Sequence, residues 1–300
     1  MKVVVTGATG FVGRALSARL AAGGHEIVPI TRSPQAGAIA WDFARGSVPP
    51  ALPGDATGIV HLAQSRAYRN FPADTLEMFS VNVASTHALL NAAVAAGIPK
   101  FCLISSGTVY EPFLGSMRED AHLSPTSYLG ASKLAGEILA QPYSSLISLA
   151  VLRLFFPYGV GQTGRLIPEL VRRVSGDIPV DVGPDEHGLR LSPTHVDDIC
   201  DAIVASLEAG WTGTFNIAAP EVLSIAEIAN LIGGALGKTV LLNRVATPAP
   251  TIRPDLSRLA RVHDLGRMRL FRDAVGELVT DSFPGIARGK SGEPVAQPAN

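Results

Sequence analysis

Short apolar runs alternate with apolar stripes of helical spacing along most of this 300-residue chain. Val3 to Val5 form a β-branched run that is typical of a strand buried in a parallel sheet. From Phe11 to Leu20 the apolar residues recur at helical spacing, which predicts a helix just after that strand. Further strands are predicted over 26–31, 38–41, 58–62, 101–104, 146–155 and 213–218, and helices over 75–96, 166–174 and 199–207. The alternation predicts an α/β fold with a parallel sheet.

The turn between the first strand and the first helix carries three glycines spaced three apart, Gly7, Gly10 and Gly13. Gly7 permits the sharp turn, Gly10 lets a phosphate approach the backbone, and Gly13 lets helix and strand pack closely. Strand, turn and helix together point backbone N–H groups and the positive end of the helix dipole at one spot. A glycine-rich turn can be purely structural, but this context favours a dinucleotide site in a Rossmann-type, doubly wound parallel sheet.

Three motifs resemble the extended branch of the short-chain dehydrogenase/reductase superfamily, the NAD(P)-dependent epimerase/dehydratase family. They are the Gly-x-x-Gly-x-x-Gly turn, the run Ser105 to Tyr110 and the segment Pro125 to Glu137. The resemblance implies a Rossmann domain and a smaller C-terminal α/β substrate lobe. We predict the former over residues 1–156 and 196–218, the latter over 157–195 and 219–287, and a flexible tail over 288–300.

The end of the second strand bears on the choice of nicotinamide cofactor. An acidic side chain there would accept hydrogen bonds from the ribose of NAD, but the chain has Thr31, Arg32 and Ser33. A guanidinium beside hydroxyls suits a 2′-phosphate, so NADP is predicted, with NAD as the alternative and a merely solvated Arg32 as the simplest reading. Asp42 is a candidate for the adenine amino group or for capping a turn. The glycine motif and the resemblance imply cofactor contacts at Gly7, Thr9, Gly10, Phe11, Val12, Arg32, Asp42, Phe43, Leu62, Ala63 and Lys133.

The resemblance implies that Ser106, Tyr128 and Lys133 carry the chemistry, with the lysine lowering the pKa of the phenol that moves a proton. The family spaces its tyrosine and lysine four residues apart, on one helix face. Here Tyr128 and Lys133 are five apart, and Leu129 occupies the tyrosine position. Three interpretations stay open. Tyr128 reaches the site from an irregular first turn; another group such as Tyr110, Glu111 or a water supplies the proton; or the proton shuttle is lost.

Three residues of the second half are candidates for binding the substrate. Phe156 stands where the family often has an Asn near the substrate diphosphate, which weakens the case for a nucleotide sugar. Arg190 could fork two hydrogen bonds to a phosphate or carboxylate, or could form a surface ion pair. Arg253 is a weaker phosphate candidate in a basic stretch, 253–272, that is interpreted as a solvated face. No metal site is predicted at His195, Asp197 and Asp198, because Asp is ordinary at the start of a helix.

Composition narrows the function classes further. A net charge of −1, from 25 basic and 26 acidic residues, offers no argument for nucleic acid or an anionic membrane as partner. The longest apolar segment, Leu146 to Phe156, is too short to span a bilayer. Cys102 and Cys200 lie in apolar surroundings, as reduced core thiols of a cytoplasmic protein do. We therefore expect an NAD(P)-dependent epimerase, dehydratase or reductase acting on a sugar-nucleotide-like or related small molecule. The resemblance also implies a homodimer, and the alternative function is a catalytically silent NADP-binding sensor or scaffold.

Overall fold

A computed structural model describes residues 1–45, 49–115 and 117–282, with the side chain of Arg69 outside the description. The described strands are β1 (Lys2–Thr6), β2 (Glu26–Thr31), β3 (Ile39–Ala40), β4 (Gly58–His61), β5 (Lys100–Ser106), β6 (Ser148–Leu154), β7 (Pro157–Tyr158), β8 (Val180–Val182), β9 (Arg190–Leu191), β10 (Thr194–His195), β11 (Gly213–Ile217), β12 (Leu223–Ser224) and β13 (Leu242–Arg244). The described helices are α1 (Phe11–Ala22), α2 (Thr75–Phe79), α3 (Ser85–Ala95), α4 (Tyr128–Ala140), α5 (Leu166–Ser175), α6 (Val196–Ala209), α7 (Ile225–Leu236) and α8 (Phe271–Ser282).

Seven parallel strands form the central sheet, in the order β11-β6-β5-β4-β1-β2-β3. The strand order reverses between β1 and β4, and ligands of such sheets bind outside the carboxyl ends of the strands at that point. Val3, Val4 and Val5 of β1 are fully buried, as the β-branched run predicted. The predicted Rossmann-type doubly wound sheet is therefore confirmed.

The predicted helix over 75–96 is interrupted. Residues Ser80–Ala84 form a π-helical segment between α2 and α3. Asn82 lies in this segment, where its side chain accepts a hydrogen bond from Ser65 N at 3.0 Å and donates one to Ser132 Oγ at 2.9 Å. Insertions of this kind are frequent at functional sites. The interruption holds an amide between the loop after β4 and the helix that carries Lys133.

A second apolar cluster lies outside the sheet. It joins α5, α7 and α8 around side chains such as Tyr158, Ile228 and Phe271. A capping box starts α7, with Ser224 and Glu227 bonded reciprocally. The division of the chain at 156, 195 and 218 stays a prediction, and the tail 288–300 lies outside the described residues. None of the described helices is long and apolar enough to cross a membrane.

The basic stretch 253–272 differs from the interpretation as a solvated face. Only short turns form in its first part, Leu259–Arg261 and Leu265–Arg267. Leu259 is fully buried against the main core, although Arg261 and Arg267 are exposed. The apolar side chains of this stretch cover the sheet while its guanidinium groups stay in water.

Candidate active site

The glycine turn has the geometry that a pyrophosphate needs. Gly7 has a φ of +68°, and a Cβ there would lie 3.0 Å from the backbone of Leu62 and Ala63. A Cβ on Gly13 would lie 2.1 Å from the carbonyl oxygen of Gly7, so no other residue fits without movement. Helix α1 begins after Gly10 with no side-chain cap and no acid in its first turn. The backbone N–H groups of its first turn, such as that of Phe11, have no acceptor within the helix and can donate to the phosphates of a dinucleotide.

Two loops flank this turn. Ala63 N donates to Thr6 Oγ1 at 3.1 Å, which ties the exit of β4 to the end of β1. Arg14 Nη1 donates to the carbonyl of Thr9 at 2.8 Å, and Val12 packs partly buried against the core. Leu62, Ala63, Thr9, Phe11 and Val12 therefore surround the glycine turn. Their roles in cofactor binding stay predictions.

The end of β2 presents no carboxylate. Thr31 is buried, and its hydroxyl donates to the carbonyl of Ser33 at 2.8 Å. Arg32 is exposed beside it. Asp42, the adenine candidate, instead accepts a hydrogen bond from Ala44 N at 3.1 Å, which is the turn-capping alternative.

Phe43 packs between aromatic neighbours. Its ring centroid lies 4.6 Å from that of Trp41 and 5.9 Å from that of His61. His61 is buried between Thr6 Oγ1 at 2.7 Å and Thr86 Oγ1 at 3.1 Å, and burial lowers its pKa to about 3. The His61 ring is therefore neutral and packs as part of its strand.

Ser106 and Lys133 both lie near the carboxyl end of β5. Ser106 ends the strand, and its Oγ accepts a hydrogen bond from Thr108 N at 3.2 Å. Lys133 reaches the same strand from α4 and donates to the carbonyl of Ile104 at 3.0 Å. Burial lowers the pKa of Lys133 to about 8, although Glu137 opposes this shift. Thr108 Oγ1 is buried without a hydrogen-bond partner among the described residues.

Tyr128 points elsewhere. It is the first residue of α4, and its hydroxyl donates to the carbonyl of Thr75 in α2 at 3.2 Å. Its ring lies 5.9 Å from that of Phe71. Leu129, the next residue, is half-buried. Gly130 packs so closely on Thr108 that a Cβ would lie 2.5 Å from the Thr108 carbonyl oxygen. Among the described residues, no hydrogen bond joins Tyr128 to Ser106 or Lys133.

A buried network of charged and hydroxyl groups lies behind the site, and the sequence patterns did not predict it. Arg153 pairs with Glu137 at 2.7 Å and donates to the hydroxyl of Tyr110 at 2.7 Å. Ser105 donates to Glu137, and Tyr110 donates to Asn216 at 2.9 Å. Burial raises the pKa of Tyr110, whose hydroxyl both accepts a hydrogen bond from Arg153 and donates one to Asn216. The position of Glu137 one turn after Lys133 on α4 was the available signal for this network.

The substrate candidates do not converge on one point. Arg190 Nη1 lies 2.9 Å from Asp185, and the guanidinium holds the pKa of that carboxyl at about 2. Arg190 therefore forms the ion pair that was the alternative to a phosphate site. Phe156 is half-buried between two apolar clusters with a φ of +41°, which is strained for a bulky residue. Arg253 is exposed and lines an open cavity of about 320 Å³ together with Asp255.

The predicted helix start at 195–198 is present. His195 Nδ1 accepts a hydrogen bond from Asp197 N, and Asp198 accepts one from Arg269 N. Asp197 pairs with Arg269 at 2.9 Å. Within the described ranges no group of three His, Cys, Asp or Glu side chains could hold a metal ion.

A family model described as "NAD dependent epimerase/dehydratase family" matches residues 3–218. The chain belongs to this family. The UDP-glucose 4-epimerase of Mycolicibacterium smegmatis is 28% identical over 305 residues, which cover 90% of each protein. The dTDP-glucose 4,6-dehydratase of Streptomyces griseus is 30% identical over 260 residues, which cover 78% of each. The structure of MoeE5 with UDP-glucuronic acid and NAD has a TM-score of 0.79 at 25% identity, covering 95% of this chain and 99% of that one.

These relatives are sugar-nucleotide epimerases and dehydratases, and a solved one binds NAD. The prediction of an NAD(P)-dependent enzyme of the epimerase/dehydratase family is therefore confirmed. The alternative, a catalytically silent sensor or scaffold, is not supported.

Proposed function

We propose that this epimerase/dehydratase family member transfers a hydride to or from a nucleotide-diphosphate sugar at the carboxyl end of β5. The observation that carries the proposal is that Ser106 and Lys133 both lie near that end of β5, which β4 alone separates from the glycine-bearing β1. The sugar nucleotides named for the relatives support the substrate class. Phe156, in place of an asparagine, argues for a diphosphate held differently from that of the family.

A bound nicotinamide supplies or accepts the hydride. The chain's own residues then have separate tasks. The ammonium of Lys133 is held by the carbonyl of Ile104, from where it can donate to a ribose hydroxyl of the dinucleotide. Ser106 Oγ can hold the reacting oxygen of the substrate.

We propose Tyr128 as the proton donor, in which case its hydroxyl must leave the carbonyl of Thr75 when substrate binds. Tyr128→Phe tests this. Turnover should fall on the order of a hundredfold or more while dinucleotide affinity is retained, because only a proton-transfer group is removed. Unchanged turnover would assign Tyr128 to anchoring α2 and would leave Glu111 or a water as donor.

The reaction itself is tested with purified protein, NADP or NAD, and a panel of UDP- and dTDP-sugars. Nicotinamide absorbance reports net reduction or oxidation, and mass spectrometry with NMR reports epimerised or dehydrated sugar. Lys133→Met and Ser106→Ala serve as matched inactive variants. A full panel without turnover would contradict the proposed substrate class.

We also propose a preference for NADP. Arg32 is exposed beside Thr31 and Ser33, at the position where a carboxylate would accept hydrogen bonds from the ribose of NAD. Arg32→Gln should weaken NADP binding about tenfold and leave NAD binding unchanged, because a charged hydrogen bond to the 2′-phosphate is lost. Equal losses for the two cofactors would contradict the preference. A cytoplasmic location stays a prediction.

A homodimer through α2, α3 and α4 is proposed as well. The outward faces of these helices expose large apolar side chains, including Leu76 at 76% and Ile138 at 62%. Ile138→Glu should shift the protein towards monomer in analytical ultracentrifugation, whereas Leu241→Glu, on an exposed leucine of the other lobe, should not. A monomeric wild type would contradict the proposal.

A further inference from the structure

The loop after β4 and the loop before α5 both start beside the glycine turn or its helix, and they contact each other. The loop after β4 begins at Ala63, whose backbone nitrogen lies 3.0 Å from the position of a Cβ on Gly7. The loop before α5 begins at Gly159, where a Cβ would lie 3.5 Å from the ring of Phe11. Both loops therefore start against the residues predicted to hold the dinucleotide.

The loops touch through an arginine and a tyrosine. Arg165, the residue before α5, has its guanidinium carbon 5.1 Å from the ring centroid of Tyr68. Tyr68 lies in the short turn Ala67–Arg69, which Arg66 precedes. A guanidinium stacked on an aromatic face is held in position while its N–H edge stays available.

Arg66 lies two residues before Tyr68, so its positive charge is carried by the same loop on which the Arg165 guanidinium stacks. Among the described residues, no carboxylate oxygen lies within 4.0 Å of either guanidinium. Burial and then the charge of Arg66 lower the pKa of Arg165. By contrast, Arg153 and Arg190 each pair with a carboxylate. Two adjacent like charges without a counter-ion repel each other, and a bound anion would relieve that repulsion.

We propose that Arg66 and Arg165, one guanidinium from each of the two loops, form a clamp that binds a diphosphate group. Two forked donors match the several oxygens and the double charge of a diphosphate better than a single carboxylate does. The clamp is separate from Arg190, which pairs with Asp185, and from Arg253, which lines another cavity. It would supply the diphosphate contact that Phe156 cannot make.

Both the dinucleotide and a nucleotide sugar carry a diphosphate, and the clamp's part in substrate binding rests on the proposed function. The test therefore has two arms, both read as dissociation constants by calorimetry. The first arm titrates NADP and NAD into the ligand-free protein. The second titrates UDP and dTDP into protein saturated with dinucleotide, with uridine and thymidine as controls that lack the diphosphate.

The variants are Arg66→Gln, Arg165→Gln and the double variant, with Arg261→Gln as an exposed arginine elsewhere. Each single change should raise the dissociation constant about tenfold in one arm, and the double change more, because charged hydrogen bonds to phosphate are lost. The wild-type affinity should also fall more steeply with salt than that of the double variant. A loss in the first arm identifies the dinucleotide as the ligand, and a loss in the second identifies the nucleotide sugar.

Tyr68→Leu should weaken the same arm as Arg165→Gln, by a smaller factor, because the guanidinium loses the ring that positions it. Changes below about twofold in both arms, or equal losses for the nucleosides and for Arg261→Gln, would overturn the clamp. Failure of the proposed function looks different. Wild-type protein would then neither bind UDP or dTDP nor turn over the sugar panel, while the first arm would still decide for or against the clamp.

Discussion

The glycine turn and the first turn of α4 both serve the same crevice, but they obey different constraints. In the glycine turn, the backbone itself excludes other residues, since a Cβ on Gly13 would lie 2.1 Å from the Gly7 carbonyl oxygen. In the first turn of α4, Leu129 and Tyr128 are only half-buried, and the Tyr128 hydroxyl bonds the carbonyl of Thr75. Binding of the dinucleotide thus depends on steric necessity, whereas proton transfer depends on which side chain happens to point inwards.

The rest of α4 is held in place by contacts of its side chains with the central sheet. Lys133 is fixed to the carbonyl of Ile104, and Glu137 is fixed to Arg153. The helix is therefore anchored to β5 and β6 from its second turn onwards. A change confined to its first turn can alter the chemistry without moving the helix.

The largest effect is expected from Gly13→Ala. The added Cβ would lie 2.1 Å from the Gly7 carbonyl, so α1 must move away from β1. We expect a loss of stability of about 1–3 kcal/mol and a dinucleotide dissociation constant raised on the order of a hundredfold. Thermal unfolding and calorimetry measure the two. Gly234→Ala, in α7 with nothing within 4 Å, is the control and should be neutral or stabilising. Wild-type binding by Gly13→Ala would remove the steric argument.

Leu129→Tyr tests whether the first turn of α4 limits turnover. It creates the four-residue spacing to Lys133, which places the phenol and the ammonium on one helix face. If proton transfer limits the enzyme, turnover should rise on the order of a hundredfold. Leu129→Phe is the matched control, because it adds the ring without the hydroxyl. An equal rise in both variants, or none in either, would show that the first turn does not limit proton transfer.

The pH dependence of stability should report the burial of Lys133. Its pKa in the folded protein is lowered to about 8 from the model-peptide value of 10.5. Between these values the unfolded state binds more protons, so this lysine makes stability rise as pH increases through that range. Relative to Lys133→Met, the wild type should therefore gain free energy of unfolding from about pH 8 upwards. Urea titrations of both proteins at several pH values measure the difference, and a constant difference would indicate a solvated ammonium.

The smallest effect is expected from Ser127→Ala. Ser127 caps α4, and its Oγ accepts a hydrogen bond from Gly130 N at 3.0 Å. Loss of the cap should cost about 1 kcal/mol of stability and loosen the first turn without affecting dinucleotide binding. Ser127→Asp, which preserves the capping oxygen, should retain wild-type stability in urea unfolding. A change in dinucleotide affinity would show that the two regions are coupled after all.

Sequence patterns predicted the elements that depend on neighbours along the chain. The valine run of β1 and the bounds of β2 both agree with the structure. Patterns did less well where a buried side chain interrupts a regular element. The π-helical segment around Asn82 forms because its amide bonds Ser65 and Ser132 at once, and Ser132 lies 50 residues away.

By itself, the sequence determined the Rossmann-type sheet, the dinucleotide turn and the absence of a tyrosine four residues before Lys133. These follow from spacing, chirality and steric limits that act within a few residues. Only the tertiary structure decided that Tyr128 bonds Thr75, that Arg190 pairs with Asp185, and that Arg165 stacks on Tyr68. Hydrogen bonds and charge interactions require atoms to lie within a few ångströms, and for residues far apart in sequence only the folded chain sets that distance.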